Sequence, residues 1–212
     1  MLMAIRPARL HRSRRPTGIA LITAVIMLLV ITLLALGGAR LALDTKRSTR
    51  NQRDFEIAYQ AAEAALYDAE IDIQGAVAAK SRSSIFAPDK PVGFLAGGCN
   101  TGTAAPSPYL GLCDTFRGTG EPIWNTIDWT AATGNSTVEY GTFTGRQYPT
   151  GSGLTPARKP RYLIELLPDS SNGRSASNDA AKRYLYRITA IGFGPNDTTR
   201  AMVQSIYRKS DS

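Results

Sequence analysis

Cys99 and Cys113 are the only two cysteines of this 212-residue chain. Two thiols rule out a four-cysteine metal site. In an exported protein they would close a short loop as a disulfide, worth about 3 kcal/mol in the loop-entropy account. In the cytosol they would be free thiols. The single histidine, His11, lies near the start. Any product that loses the first 18 residues therefore has no Ser-His-Asp or Cys-His nucleophile system and no histidine zinc ligand. Asp169, Asn172 and Asp179 could offer oxygens to calcium, but their spacing matches no recognised calcium loop, and solvated turn residues are the expectation. The sequence contains no P-loop, dinucleotide fingerprint or metalloprotease helix. Asn135-Ser-Thr137 and Asn196-Asp-Thr198 fit the glycosylation acceptor pattern, which is too short to carry weight. No catalytic residue, metal or cofactor is assigned, and the chain is not read as an enzyme.

The net charge of +8 suggests a nucleic-acid partner until its distribution is examined. Arg6, Arg9, Arg12, Arg14 and Arg15 all precede residue 18. Without them 20 basic residues face 17 acidic ones, leaving +3. A basic stripe on the folded part is not required, and direct nucleic-acid binding is not expected.

Those arginines belong to an acid-free segment, residues 1–18, which ends in Pro16-Thr17-Gly18. Residues 19–39 follow without a charge. As a helix this run crosses the roughly 30 Å hydrocarbon core of a bilayer. The arginines before it favour a cytoplasmic amino terminus. A cleaved secretory signal would have a shorter apolar stretch and a small-residue site after it. A plain signal anchor satisfies the same physics, so the Gly18/Ile19 junction is what distinguishes the readings.

No proline occurs between Pro16 and Pro88, and Gln60-Ala-Ala-Glu-Ala-Ala-Leu-Tyr-Asp-Ala-Glu70 is rich in helix formers. One helix is expected from Ile19 to about Ile73, roughly 80 Å long. In its second half Phe55, Ala58, Tyr59, Ala62, Leu66, Ala69 and Ile73 are expected to form the buried stripe, with Arg53, Asp54, Glu63, Asp68 and Glu70 on the other face. Gly37 and Gly38 fall where the span should leave the membrane. They are read either as a local bend or as small residues tolerated in a membrane helix.

The basic leader closed by Gly18, with Ile19 opening an unbroken apolar helix, resembles the class III signal of type IV prepilins. That resemblance implies cleavage between Gly18 and Ile19 by prepilin peptidase and methylation of the new amine of Ile19. Asn51-Gln52-Arg53-Asp54 followed by Ala58-Tyr-Gln-Ala-Ala-Glu-Ala-Ala-Leu-Tyr-Asp-Ala-Glu70 resembles the amino-terminal region of the PilX group of minor pilins. Gly111-Leu-Cys113, Pro122-Ile-Trp124, Asp128-Trp129, Tyr140-Gly-Thr-Phe-Thr-Gly145 and the closing YRITAIGFG and VQSIYRK segments are similar to PilX sequences further along. Major pilins carry a glutamate as the fifth mature residue, and here that residue is Thr23. The glutamate is thought to neutralise a neighbouring subunit's amine in the filament, so a subunit without it is poorly suited to repeat along the shaft. The resemblance implies a minor pilin that primes assembly and sits at or near the tip. Its implied partners are other minor and major pilins, prepilin peptidase, the assembly platform and, as a candidate, a tip adhesin. The implied location is the inner membrane in a single pass, with the carboxy-terminal domain periplasmic, and later the extracellular pilus. A type II secretion pseudopilin shares nearly every feature, and a signal-anchored periplasmic enzyme or ligand-binding protein is the distant alternative.

From Ser81 to about Arg158 the chain is rich in Gly, Pro, Ser and Thr and reads as loops with short strands. Trp124, Trp129, Tyr140, Phe143 and Tyr148 serve there either as a small core or as an exposed partner surface. Segments 161–167, 183–191 and 201–208 read as strands, and Gly192–Thr199 suits a hairpin connection. The expected architecture is α+β and pilin-like: a long amino-terminal helix packed on an antiparallel sheet, with a disulfide-bearing loop insertion. Its parts are a leader (1–18), a membrane or filament-core helix (19–39), an amphipathic half (40–75) and a soluble domain (76–212).

Overall fold

The computed structural model describes residues 18–75, 82–87, 89, 91–95, 97–101, 107–114, 120–132, 134–169 and 183–210. The leader arginines, His11, Asn172 and Asp179 lie outside the described residues. The chain divides into two units, Met1–Thr49 and Arg50–Ser212.

One helix, α1, runs from Ile19 to Gln74, as the absence of proline allows. It remains helical through Gly37 and Gly38. In the first unit every residue from Gly18 to Thr49 is exposed. The uncharged run thus presents apolar side chains on all sides, the pattern expected of a helix solvated by lipid or by other helices.

The second unit is built on a five-stranded sheet with the order β1-β3-β4-β5, in which β2 also pairs with β3. The strands are β1 (Leu112–Asp114), β2 (Val138–Glu139), β3 (Arg161–Pro168), β4 (Tyr184–Phe193) and β5 (Arg200–Tyr207). A short helix, α2 (Ile123–Thr126), lies between β1 and β2. The three long strands are antiparallel in sequence order, β3 to β4 with Ile164 opposite Ile188, and β4 to β5 with Ala190 opposite Val203. The β4–β5 connection closes with the Gly194 amide donating to the Thr199 carbonyl at 2.8 Å, while the Asn196 side chain accepts from the Thr198 amide at 3.2 Å.

The long strands form the expected antiparallel sheet, and β1 at its edge makes the whole sheet mixed. β1 pairs parallel with β3, Leu112 opposite Ile164. A parallel pair needs a long connection, and the loop-rich stretch between residues 114 and 161 supplies one.

Side-chain alternation along β3 and β4 separates two cores. Tyr162, Ile164, Tyr186, Ile188 and Ala190 pack with Ala65, Ala69 and Ile73 of α1 and with Phe86, Tyr140 and Phe143. Leu163, Ile191 and Phe193 pack on the opposite face with Cys113, Ile123 and Trp129. On that second face Arg187 holds the fully buried Glu165 of the neighbouring strand through two hydrogen bonds, 2.8 and 2.6 Å. The aromatics of the insertion are core residues: Trp129, Tyr140 and Phe143 are buried, and Trp124 and Tyr148 are half-buried against them.

The buried stripe of α1 differs from the expected one. Ala58, Ala61, Ala62, Ala65, Ala69 and Ile73 are fully buried, but Phe55 and Tyr59 are exposed and Leu66 is half-buried. The buried positions are small because helix and strand approach closely: a Cβ placed on Gly192 of β4 would overlap the Ala58 carbonyl oxygen and the Ala62 amide. Only small helix residues fit so near a strand backbone. Asp68, expected on the solvent face, is also fully buried.

Candidate assembly site

Two parts of the chain carry the candidate site: the apolar run of α1, and the polar groups that fix its second half to the sheet. Gly18 is exposed, with no heavy atom near the position of an added Cβ, and Ile19 immediately begins α1. The Thr23 hydroxyl donates back to the carbonyls of Ile19 and Ala20 at 3.2 and 3.1 Å. The Thr32 hydroxyl does the same to Leu29 at 2.8 Å. The two polar side chains of the run are therefore satisfied within their own helix and need no partner in an apolar surrounding. Gly37 and Gly38 likewise stand in open space along the same helix.

Within the second unit, Asp68 and Asp72 are one helical turn apart on the alanine stripe, and both are buried. Asp68 Oδ2 accepts from the Gly141 amide at 2.8 Å, and its Oδ1 accepts from the Thr144 hydroxyl at 2.6 Å. Arg146 approaches to 3.8 Å with its guanidinium over the Tyr67 ring. Burial outweighs these favourable partners and pushes the Asp68 carboxyl above the ordinary aspartate value. The turn that delivers them depends on Gly141, whose φ of 79° suits glycine and at which a Cβ would strike the Arg146 carbonyl.

Asp72 is held more tightly. Arg82 donates to it from Nε at 3.0 and 2.9 Å and from a terminal nitrogen at 2.7 Å, and the Tyr162 hydroxyl donates at 2.9 Å. The remaining Arg82 donors reach the carbonyls of Pro108 and Leu110 at 2.8 and 2.7 Å, and the guanidinium lies 3.7 Å from the Phe143 ring centroid. A buried ion pair is tolerable only when its remaining hydrogen-bonding capacity is filled, and these contacts fill it. The phenol of Tyr162 is pushed well above its usual value, first by burial and then by the Asp72 charge. At the end of α1, Gln74 accepts from the Tyr207 hydroxyl at 3.0 Å and donates to Ser210 at 2.8 Å, joining the helix to the end of β5.

Cys99 and Cys113 form the disulfide. Around it the Asn100 amide donates to the Leu112 carbonyl at 3.1 Å and the Asp114 amide to the Gly98 carbonyl at 3.0 Å, so the insertion is bound to β1 and, through β1, to β3. Asp169, one of the three oxygen-bearing residues weighed for calcium, is bonded to Arg208 at 2.8 Å.

The structure thus brings Cys99 and Cys113 together, while Gly18, Ile19, Thr23, Gly37 and Gly38 follow one another along the first unit. The roles of Asp72, Arg82, Tyr162 and Thr144 were not read from the sequence. One signal was available: Asp68 and Asp72 fall in the same helical phase as Ala58, Ala61, Ala65 and Ala69.

Comparison with known families gives two matches. Residues 92–209 match the carboxy-terminal part of the type IV pilus assembly protein PilX, and residues 17–66 match the PilX amino-terminal region. No curated protein and no solved structure matches the chain. The two regions cover more than half of the sequence, in the expected order, and include the apolar helix, the disulfide and all three long strands. The chain belongs to the PilX family of type IV pilus assembly proteins.

Proposed function

We propose that this chain is a minor pilin which primes assembly of a bacterial type IV pilus and is incorporated at or near its tip, without catalytic activity of its own. Residues 1–18 act as the leader, residues 19–39 as the membrane segment and then filament-core helix, residues 40–75 as the amphipathic half, and residues 76–212 as the exported domain. Prepilin peptidase cuts between Gly18 and Ile19, and the Ile19 amine is methylated. Before assembly the chain spans the inner membrane once, amino terminus in the cytoplasm. Extraction exchanges lipid for the helices of other minor and major pilins, driven by the assembly platform, and the tip position leaves room for an adhesin above.

The observation that carries the tip position is Thr23. Its hydroxyl is spent on the carbonyls of Ile19 and Ala20. It has no negative charge to offer the amine of a subunit packed beside it, so adding a second copy in the shaft would leave that amine unpaired in apolar surroundings. Gly37 and Gly38 give the helix a place to adjust as it passes from bilayer to filament. Immunogold labelling of sheared pili tests the assignment. Label confined to filament ends, at a small fraction of the major subunit's amount, agrees with it; uniform decoration of the shaft contradicts it.

A further inference from the structure

The part of α1 just past the uncharged run, within the first unit, carries Arg40, Lys46 and Arg47 against a single acid, Asp44. All four residues are exposed. Among the described residues none of the three cations has an ion-pair partner. The neighbouring Thr45 and Thr49 hydroxyls are turned back to the carbonyls of Leu41 and Thr45, both at 2.9 Å. Three positive charges therefore stand on this stretch with little internal compensation.

Their position selects the partner. At about 1.5 Å per residue, Lys46 and Arg47 lie roughly 10 to 12 Å beyond Ala39. A headgroup layer extends about 5 to 8 Å beyond the hydrocarbon, and charges remain visible to one another over about 8 to 10 Å at moderate salt. Side chains on a helix lean toward its amino terminus, here toward the span, so the long lysine and arginine stems reach back by several ångströms. All three charges then fall within or next to the headgroup layer.

We propose that Arg40, Lys46 and Arg47 form a contact site for anionic phospholipid headgroups on the outer leaflet of the membrane crossed by residues 19–39. This rests on the reading of that run as the span with the folded domain outside. The contact holds the subunit at the bilayer surface before assembly and must be broken as the helix is extracted.

The test uses the full chain in nanodiscs of phosphatidylcholine and phosphatidylglycerol, with a photoactivatable headgroup analogue of each lipid in turn and adducts mapped by peptide mass spectrometry. An acyl-chain probe reports separately on the span. The phosphatidylglycerol analogue should give roughly tenfold or more adduct over residues 40–49 than the phosphatidylcholine analogue. The preference should fall toward equality at about 1 M salt, where screening acts within about 3 Å, and in the R40Q/K46Q/R47Q variant. Equal yields in the native chain, as expected if the stretch instead faces an acidic protein surface, would overturn the proposal, as would a preference that survives in the variant. With the span labelled by the acyl-chain probe, equal yields remove only the lipid contact; an unlabelled span removes the membrane reading as well.

Discussion

Gly192 on β4 lies directly against the backbone of Ala58 on α1, so close that any side chain at Gly192 would occupy the space of the Ala58 carbonyl oxygen. This contact sets the distance between helix and sheet and explains why the buried stripe is almost wholly alanine. It also shows that the second half of α1 is docked by shape as much as by apolar area.

Gly192→Ala should therefore destabilise the domain by about 3 kcal/mol, since neither the helix backbone nor the strand can yield cheaply. Thermal unfolding of the detergent-solubilised chain should show a clear drop in Tm. Gly38→Ala, where an added Cβ meets nothing, should leave this domain's unfolding unchanged.

Removing one partner of the Asp72–Arg82 pair leaves the other charge buried. Asp72→Ala should cost about 3 to 5 kcal/mol. Tyr162→Phe, which removes one hydrogen bond to Asp72, should cost about 1 to 1.5 kcal/mol. Denaturant titrations of both variants check the order. Equal losses would mean that the ion pair is not what holds the end of the helix.

Asp68 gives a signed pH dependence. Its folded-state pKa is raised above the unfolded value, chiefly by burial. Its contribution to stability is thus fully present below the ordinary aspartate range and is lost as pH rises through the raised folded value. Asp68→Asn retains an acceptor for the Gly141 amide and has no charge to desolvate. The stability difference between native chain and Asp68→Asn should accordingly be smaller, or reversed, at pH 7 compared with pH 4. A difference that grows in favour of the native chain as pH rises would show that the hydrogen bonds to the carboxylate outweigh its burial.

The disulfide joins two residues 14 positions apart in the sequence. The Cys99→Ser, Cys113→Ser double variant should lose about 3 kcal/mol. Reductant should lower the Tm of the native chain and leave the double variant unaffected.

The long helix and three long strands were legible because their signals are local: an uncharged run, a proline-free stretch and β-rich segments separated by turn residues. What escaped depended on distance between elements. Phe55 and Tyr59 have the periodicity and hydrophobicity of core positions, yet both are exposed, and the helix residues that lie against Gly192 are alanines. Asp68 looked like a solvent residue because the partners that make its burial tolerable, the Gly141 amide and the Thr144 hydroxyl, lie more than 70 positions away. The parallel pairing of β1 was hidden for the same reason, since three residues following a glycine-rich loop carry no directional signal. Cys99 and Cys113 could be paired from the sequence because there were only two of them.

The central claim is that this chain is a processed pilin subunit, and the mature amino terminus tests it most directly. Mass spectrometry of the protein from cells with and without prepilin peptidase should find methylated Ile19 as the first residue only when the peptidase is present. An uncut leader in both strains would contradict the account and leave a signal-anchored protein that does not enter the filament by this route.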